Sequence, residues 1–112
     1  MQIGEVRDGG VDVVAPVGRI DTTTVGALEA RLGPLLAAAT PRVVIDFAGV
    51  EYISSAGLRV LLIAARRVQS ARGRLVLCGM EGAVRQVFQL AGFVPLFTIC
   101  DSRAAAVGEA GA

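Results

Sequence analysis

Short apolar runs typical of strands alternate along this chain with segments of helical periodicity. The runs RVVIDF at 42–47 and RLVLC at 74–78 have the aliphatic, β-branched character of central strands buried on both faces. Between them, apolar residues recur every three or four positions over 58–68, the spacing of one helix face. Parallel strands need a crossover connection, which is usually a helix and is right-handed. This alternation of strands and helices therefore predicts an α/β fold.

The same pattern extends toward both ends of the chain. GVDVVAPVG at 10–18 predicts a strand, preceded by an edge strand near 2–7 with RDGG as the hairpin turn. DTTTV offers cap oxygens for a first helix, which Gly33-Pro34 should kink or shorten. A third helical stripe lies at 84–91, and LFTIC at 96–100 predicts the last strand.

A last short helix is predicted from Ser102 to Val107, capped by Asp101 or Ser102. The resulting order, ββαβαβαβα, gives a mixed, mostly parallel sheet of about five strands with about four helices. The length of 112 residues predicts a single domain over 1–112, with about 108–112 as a frayed tail.

The residue types that are missing exclude several kinds of chemistry. The chain has no histidine and no lysine, which removes Ser-His-Asp and Cys-His catalysis, histidine metal sites and the P-loop lysine. A serine hydrolase would have to use a carboxylate such as Asp21 or Asp46 as its base, which is disfavoured. Cys78 and Cys100 each end an apolar run and are expected to be reduced thiols. We therefore expect a protein that is not an enzyme and holds no metal and no cofactor.

Charge and hydropathy also narrow the choice of partner. A formal charge of +1, with one Tyr, four Phe and no Trp, is unlike the basic, aromatic surface of a nucleic-acid binder. Membrane insertion is not expected, because no apolar run approaches the ~20 residues that a spanning helix needs. Charged residues near the N-terminus argue against a secretory signal, so a cytoplasmic protein is expected. An arginine run without acids is read as a solvated helix face, or else as a docking patch for an acidic partner: Arg59, Arg66, Arg67, Arg72 and Arg74.

Two serines, Ser54 and Ser55, stand directly before the second helix in the stretch YISSAGLRVLL. Either can serve as the N-cap, whose hydroxyl accepts a hydrogen bond from a first-turn N–H group. A helix N-terminus also favours anions, so a phosphate there would meet free N–H groups and the positive end of the helix dipole. Gly57 also has a purely structural interpretation, because a glycine lets the helix backbone approach a neighbouring element closely.

These residues resemble a known family. The segment VVIDFAGVEYISSAGLRVLL, with GRID upstream and LAGFVPLFTICDS downstream, resembles the STAS domain of anti-sigma factor antagonists from about Ile3 to Val107. The resemblance implies a regulator that binds an anti-sigma factor, which is also a serine kinase with a GHKL-type ATPase fold. It further implies that the kinase phosphorylates the antagonist and so breaks the complex, and that a PPM-type phosphatase resets it. The free protein is expected to be a monomer.

The resemblance also assigns residues. The phosphoacceptor lies two positions before the motif glycine and is therefore Ser55. The relatives have Asp directly before the acceptor, where this chain has Ser54, so Ser54 is the alternative acceptor. The partner-binding residues that it implies are Asp21, Thr22, Ser54, Ser55, Ala56, Gly57, Leu58 and Arg59. The alternative function is that of a STAS subunit without a switch, in a larger assembly for lipid transport or stress sensing.

Overall fold

The strands and helices of the protein were located in a computed structural model that describes residues 1–112. The strands are β1 (Gln2–Asp8), β2 (Val11–Ile20), β3 (Arg42–Asp46), β4 (Val50–Ile53), β5 (Arg74–Cys78) and β6 (Thr98–Cys100). The helices are α1 (Val25–Leu36), α2 (Ser55–Ser70), α3 (Gly82–Leu90) and α4 (Arg103–Gly111), with a 3-10 turn at Val94–Leu96. None of these helices is both long and apolar enough to cross a membrane.

The sheet confirms the predicted α/β class and adds one strand to it. The main order is β1-β2-β3-β5-β6, in which only the β1–β2 pair is antiparallel. The sixth strand, β4, pairs in parallel with the second half of β2. The main order thus has the predicted five strands, and β4 is a further strand that the order ββαβαβαβα did not include, because β2 is long enough to pair with β3 and then with β4.

The N-terminal hairpin forms as predicted. Gly9 and Gly10 connect β1 to β2 with φ angles of 57° and 83°. A two-residue turn with positive φ at both positions matches the right-handed twist of the flanking strands, and glycine adopts it without a steric penalty. The first pair of the sheet is thus set by local backbone chemistry.

The central strands are buried on both faces, with alternate residues in two separate clusters. Val14, Ile45 and Leu77 belong to the larger cluster, which they form together with α1, α2 and α3. Their neighbours Val13, Val44 and Val76 belong to the smaller cluster, which they form with α4. Because side chains alternate across a strand, a sheet covered on both faces requires continuous apolar runs such as VVI and LVL.

Helix α1 continues through Gly33-Pro34 and ends at Leu36, so the pair does not shorten the helix, one of the two effects predicted for it. The missing N–H group of Pro34 removes one hydrogen bond near the helix end. The backbone bonds resume at once, since the N–H group of Ala37 donates to the carbonyl of Gly33 at 3.1 Å. Leu36 is therefore still held against the core, at 7% exposure.

Helix α4 extends four residues beyond the predicted end at Val107, to Gly111. Ser102 is its cap, accepting a hydrogen bond from the N–H group of Ala105 at 3.1 Å. Ala106 and Ala110 are fully buried against the sheet, and Arg42 Nη1 donates to the carbonyl oxygen of Ala110 at 3.0 Å. Residues 108–111 thus continue the helix where the sequence predicted a frayed tail, because small side chains let the helix pack closely on the valine face of the sheet.

A charge placed on the buried side of α4 tests this packing. Ala110→Asp should lower the free energy of unfolding by at least ~2 kcal/mol, because an unpaired carboxylate would be forced against the valine side chains. Gly108→Asp is the matched control, since Gly108 is exposed and a Cβ atom added there would meet no heavy atom within 4 Å. Urea denaturation of both variants gives the comparison. Equal stability of the two variants would mean that the end of α4 does not pack on the sheet.

Candidate functional site

The parallel pairing of β2 with β4 brings two loops together at one end of the sheet. Ile20, the last residue of β2, pairs with Ile53, the last residue of β4. The N–H group of Ser54 then donates to the carbonyl of Ile20 at 2.8 Å. The turn that begins at Asp21 and the serine pair that begins α2 are therefore neighbours, as expected for the carboxyl ends of parallel strands.

Ser54 is the N-cap of α2. Its backbone is extended, with φ −86° and ψ 171°, and its Oγ accepts a hydrogen bond from the N–H group of Gly57 at 3.3 Å. The Ser54 carbonyl also accepts the first helical bond, from the N–H group of Leu58 at 3.0 Å. Of the two serines that the sequence left open, Ser54 therefore caps the helix.

Ser55 is the first residue of the helix and has a different environment. It is exposed, and its hydroxyl is not engaged in the cap bond, which belongs to Ser54. The next residue, Ala56, is half-buried and offers no competing hydroxyl. Ser54 thus provides the structural cap, and Ser55 provides an exposed hydroxyl outside the cap bond.

Asp21 organises the neighbouring turn through its side chain. Asp21 Oδ1 accepts hydrogen bonds from the Thr23 hydroxyl at 2.7 Å and from the Thr23 N–H group at 2.9 Å. These bonds, the hydroxyl of Thr23 first, hold the pKa of the Asp21 carboxyl below its usual value. Thr24 Oγ1 in turn accepts from the N–H group of Asp21 at 2.9 Å and donates to the Arg19 carbonyl at 2.7 Å. The loop therefore presents an ionised carboxylate beside the exposed Thr22.

Arg19 and Tyr52 belong to the same end of the sheet, and the sequence did not identify them. They pair in the register of β2 and β4, and the guanidinium of Arg19 lies 4.4 Å from the centre of the Tyr52 ring. Arg19 Nε also lies 3.8 Å from Asp21 Oδ2. No signal in the sequence joins these residues, because their contact depends on the pairing of β4, which the pattern did not predict.

Gly57 allows α2 to approach the strands. A Cβ atom at this position would lie 2.7 Å from Ile53 Cγ1 and 2.8 Å from Ile20 Cγ2, closer than real side chains pack. Leu58, the next residue, is buried at 6% exposure. Gly57 and Leu58 are thus packed against the core, whereas the other predicted residues, Asp21, Thr22, Ser54, Ser55, Ala56 and Arg59, are exposed or half-buried.

A groove between α1 and α2 begins beside Ser55. Its first part is an open cavity of about 520 Å³, lined by Val25, Glu29, Ser55, Ala56, Arg59, Val60 and Ile63. A second depression continues along the same two helices as far as Leu36 and Arg67. Ile63 is 50% exposed on this surface although it is a large apolar residue. An apolar groove that starts at an exposed hydroxyl is suited to docking a protein surface.

The carboxylates do not form a hydrolytic pair with either serine. Asp21 bonds to the threonines of its own turn, and Asp46 bonds to the Ala48 N–H group and to Arg103 Nε, both at 2.9 Å. Burial, with the nearby Asp46 charge, raises the pKa of the Cys78 thiol to about 12, so this thiol is neutral and unreactive. The chemistry offered by the site is that of an exposed hydroxyl at a helix N-terminus.

This chain matches the STAS domain family and resembles proteins that are named as anti-sigma factor antagonists. The model of the STAS domain family matches residues 5–106. BtrV of Bordetella bronchiseptica, named as an anti-sigma factor antagonist, is 40% identical over 89 residues, which cover 80% of this chain and 77% of BtrV. The anti-sigma-F factor antagonist RsfB of Mycobacterium tuberculosis is 32% identical over 91 residues, covering 80% of this chain and 73% of RsfB. The crystal structure of an anti-sigma factor antagonist from Mycobacterium paratuberculosis superimposes with a TM-score of 0.87 at 27% identity, covering 97% of this chain and 92% of that one.

The packing of Gly57 leads to a stability prediction. Gly57→Ala should lower the free energy of unfolding by ~1–3 kcal/mol, because the stiff, β-branched side chains of Ile20 and Ile53 cannot move away without strain. Gly26→Ala is the control on α1, where no heavy atom lies within 4 Å of an added Cβ and helix propensity alone predicts a gain of up to ~1 kcal/mol. Urea denaturation distinguishes the two effects. A stabilising Gly57→Ala would refute the close approach.

The division between the two serines leads to a second prediction. Ser54→Ala should cost ~0.5–2 kcal/mol of stability, since the helix loses its cap oxygen. Ser55→Ala should change stability by less than ~0.5 kcal/mol, because the exposed hydroxyl makes no cap bond. Thermal melts of the two variants at one pH provide the measurement. The reverse order of stabilities would show that Ser55 is the cap.

Proposed function

Because this chain belongs to the STAS domain family, we propose that it acts as an anti-sigma factor antagonist: it binds an anti-sigma factor and thereby frees a sigma factor. The relatives BtrV and RsfB, both named as antagonists, support this proposal, since each match covers 80% of the chain at 32–40% identity. Binding rather than catalysis is the activity proposed. It uses the surface formed by the Asp21–Thr22 turn, the first turn of α2 and the groove between α1 and α2.

The proposed switch is phosphorylation of Ser55 by the anti-sigma factor itself, acting as a serine kinase of the GHKL fold. The observation that carries this step is the exposed Ser55 hydroxyl, which the cap bond of Ser54 leaves available. Transfer of the γ-phosphoryl group of ATP to Ser55 Oγ forms the phosphate ester and releases ADP and a proton. A PPM-type phosphatase would hydrolyse the ester with water and restore the serine.

The expected consequence of phosphorylation is loss of binding without unfolding. A phosphoserine adds about −1.5 to −2 charges at neutral pH. At the first position of α2 this charge faces unpaired N–H groups and the positive end of the helix dipole, so the fold accommodates it. A partner surface that fits closely over the Ser55 hydroxyl would have to accommodate both the added volume and the added charge. The modified protein would therefore dissociate.

The test uses binding to a GHKL-type anti-sigma kinase encoded in the same genome. Ser55→Ala should fold, bind the kinase and remain bound when ATP is added, because it cannot accept phosphate. Ser55→Asp should fold equally well and bind at least ~10-fold more weakly, a loss equivalent to ~1.4 kcal/mol. Mass spectrometry after incubation with ATP should place one phosphoryl group, about 80 Da, on Ser55 of the unmodified chain.

Ser54→Ala is the matched control for the acceptor. It should still gain the phosphoryl group, since the cap hydroxyl is not the acceptor. Full modification of Ser55→Ala would show that Ser54 is the acceptor. Stable kinase binding by both Ser55→Asp and the ATP-treated protein would contradict the switch and favour a STAS subunit that only docks.

A further inference from the structure

Arg59 lies one helical turn after Ser55 on the same side of α2. The two residues line the same open cavity, and both are exposed. Side chains four positions apart on a helix have Cβ atoms about 5–6 Å from one another, within reach of a long guanidinium. None of the five ion pairs of the structure includes Arg59, so no carboxylate holds this side chain elsewhere.

The other charged groups around Ser55 make Arg59 the available cation. Glu29 of α1 lines the same cavity and is negative. Asp21 in the adjacent turn is ionised, with its pKa lowered by the hydrogen bonds from Thr23. Arg19, the nearest cation from β2, lies against Asp21 and the Tyr52 ring. A phosphate on Ser55 would thus be repelled by two carboxylates and attracted by one unpaired guanidinium.

We propose that Arg59 binds the phosphate of phosphorylated Ser55 within the same helix. This inference rests on the phosphorylation of Ser55 proposed above. An acidic group four residues before a basic one is the favourable orientation for a helical ion pair. The planar guanidinium can also donate two parallel hydrogen bonds to phosphate oxygens, a geometry that an ammonium group cannot offer.

The pairing would change the charge of the docking surface in two ways at the same time. The unmodified protein presents a hydroxyl and a free positive charge at the opening of the groove. The phosphorylated protein presents a negative group, and the guanidinium turns toward it along the helix. Any partner carboxylate that meets Arg59 in the complex would lose its cation when the phosphate arrives. The switch would therefore withdraw an attraction as well as add a repulsion.

The test measures the second ionisation of the phosphate by phosphorus NMR, on protein with phosphoserine installed at position 55 during translation. A bound guanidinium favours the dianion and lowers the pKa of the phosphate. Arg59→Gln should therefore raise the pKa of the phosphate by roughly 0.2–0.5 of a pH unit. The difference should shrink in 1 M salt, where exposed charges are screened over about 3 Å.

Arg66→Gln is the matched control, because it removes the same charge from the same exposed helix about 16 Å from Ser55, given a rise of about 1.5 Å per residue. Its phosphate pKa should equal that of the unmodified sequence. Equal pKa values in all three proteins, or equal rises in both variants, would overturn the proposal. The result does not depend on any kinase, because phosphoserine is installed. An intact pairing in a phosphoprotein that still bound the kinase would refute the proposed switch and leave this inference standing.

Discussion

The parallel pairing of Ile20 with Ile53 is the constraint on which the site depends. It places the ends of β2 and β4 side by side, so that the chain leaves the sheet twice at the same point. The hydrogen bond from the Ser54 N–H group to the Ile20 carbonyl extends this pairing by one residue, into the start of α2. Gly57 then brings the first turn of the helix down onto the same two isoleucines. The cap serine, the exposed Ser55 hydroxyl and the acidic turn are all positioned by this one contact between two strand ends.

Strand β4 can form there because β2 pairs with β3 through residues 12–14 and with β4 through residues 18–20. At the end of β3, Asp46 accepts a hydrogen bond from the Ala48 N–H group and so closes a short turn. Its other carboxylate oxygen accepts a hydrogen bond from Arg103 of α4. The Gly18 N–H group donates to the Gly49 carbonyl at 2.9 Å, where the chain joins β2 again. A buried carboxylate is costly unless its charge is paired and its oxygens are bonded. Both conditions are met, so Asp46 links the position of α4 to the entry of β4 and hence to the serine pair.

The sequence predicted the elements that carry a strong period and missed those that depend on tertiary pairing. Continuous aliphatic runs identified β3 and β5, since alternate residues on both faces are buried. The four residues of β4 carry no such period, because only Val50 and Ile53 face the core and Glu51 and Tyr52 face solvent. The end of α4 was missed for a related reason: Ala106 and Ala110 are apolar but too small to mark a helical face, and their burial depends on how closely the helix packs on the sheet.

The eight site residues came from a family resemblance, which placed the loop but could not tell Leu58, which packs inward, from Arg59, which faces solvent.

The distinction between Ser54 and Ser55 shows what the fold adds to the motif. From the sequence either serine could cap α2, so Ser55 could have been both the cap and the predicted phosphoacceptor. The extended backbone of Ser54 gives it the cap, while the first helical residue keeps its hydroxyl outside the hydrogen-bond network. Chemistry at Ser55 can therefore change the surface charge while the bond that starts the helix is retained. The proposed switch requires that neither state unfolds, and the cap bond of Ser54 meets that requirement because a change at Ser55 leaves this bond in place.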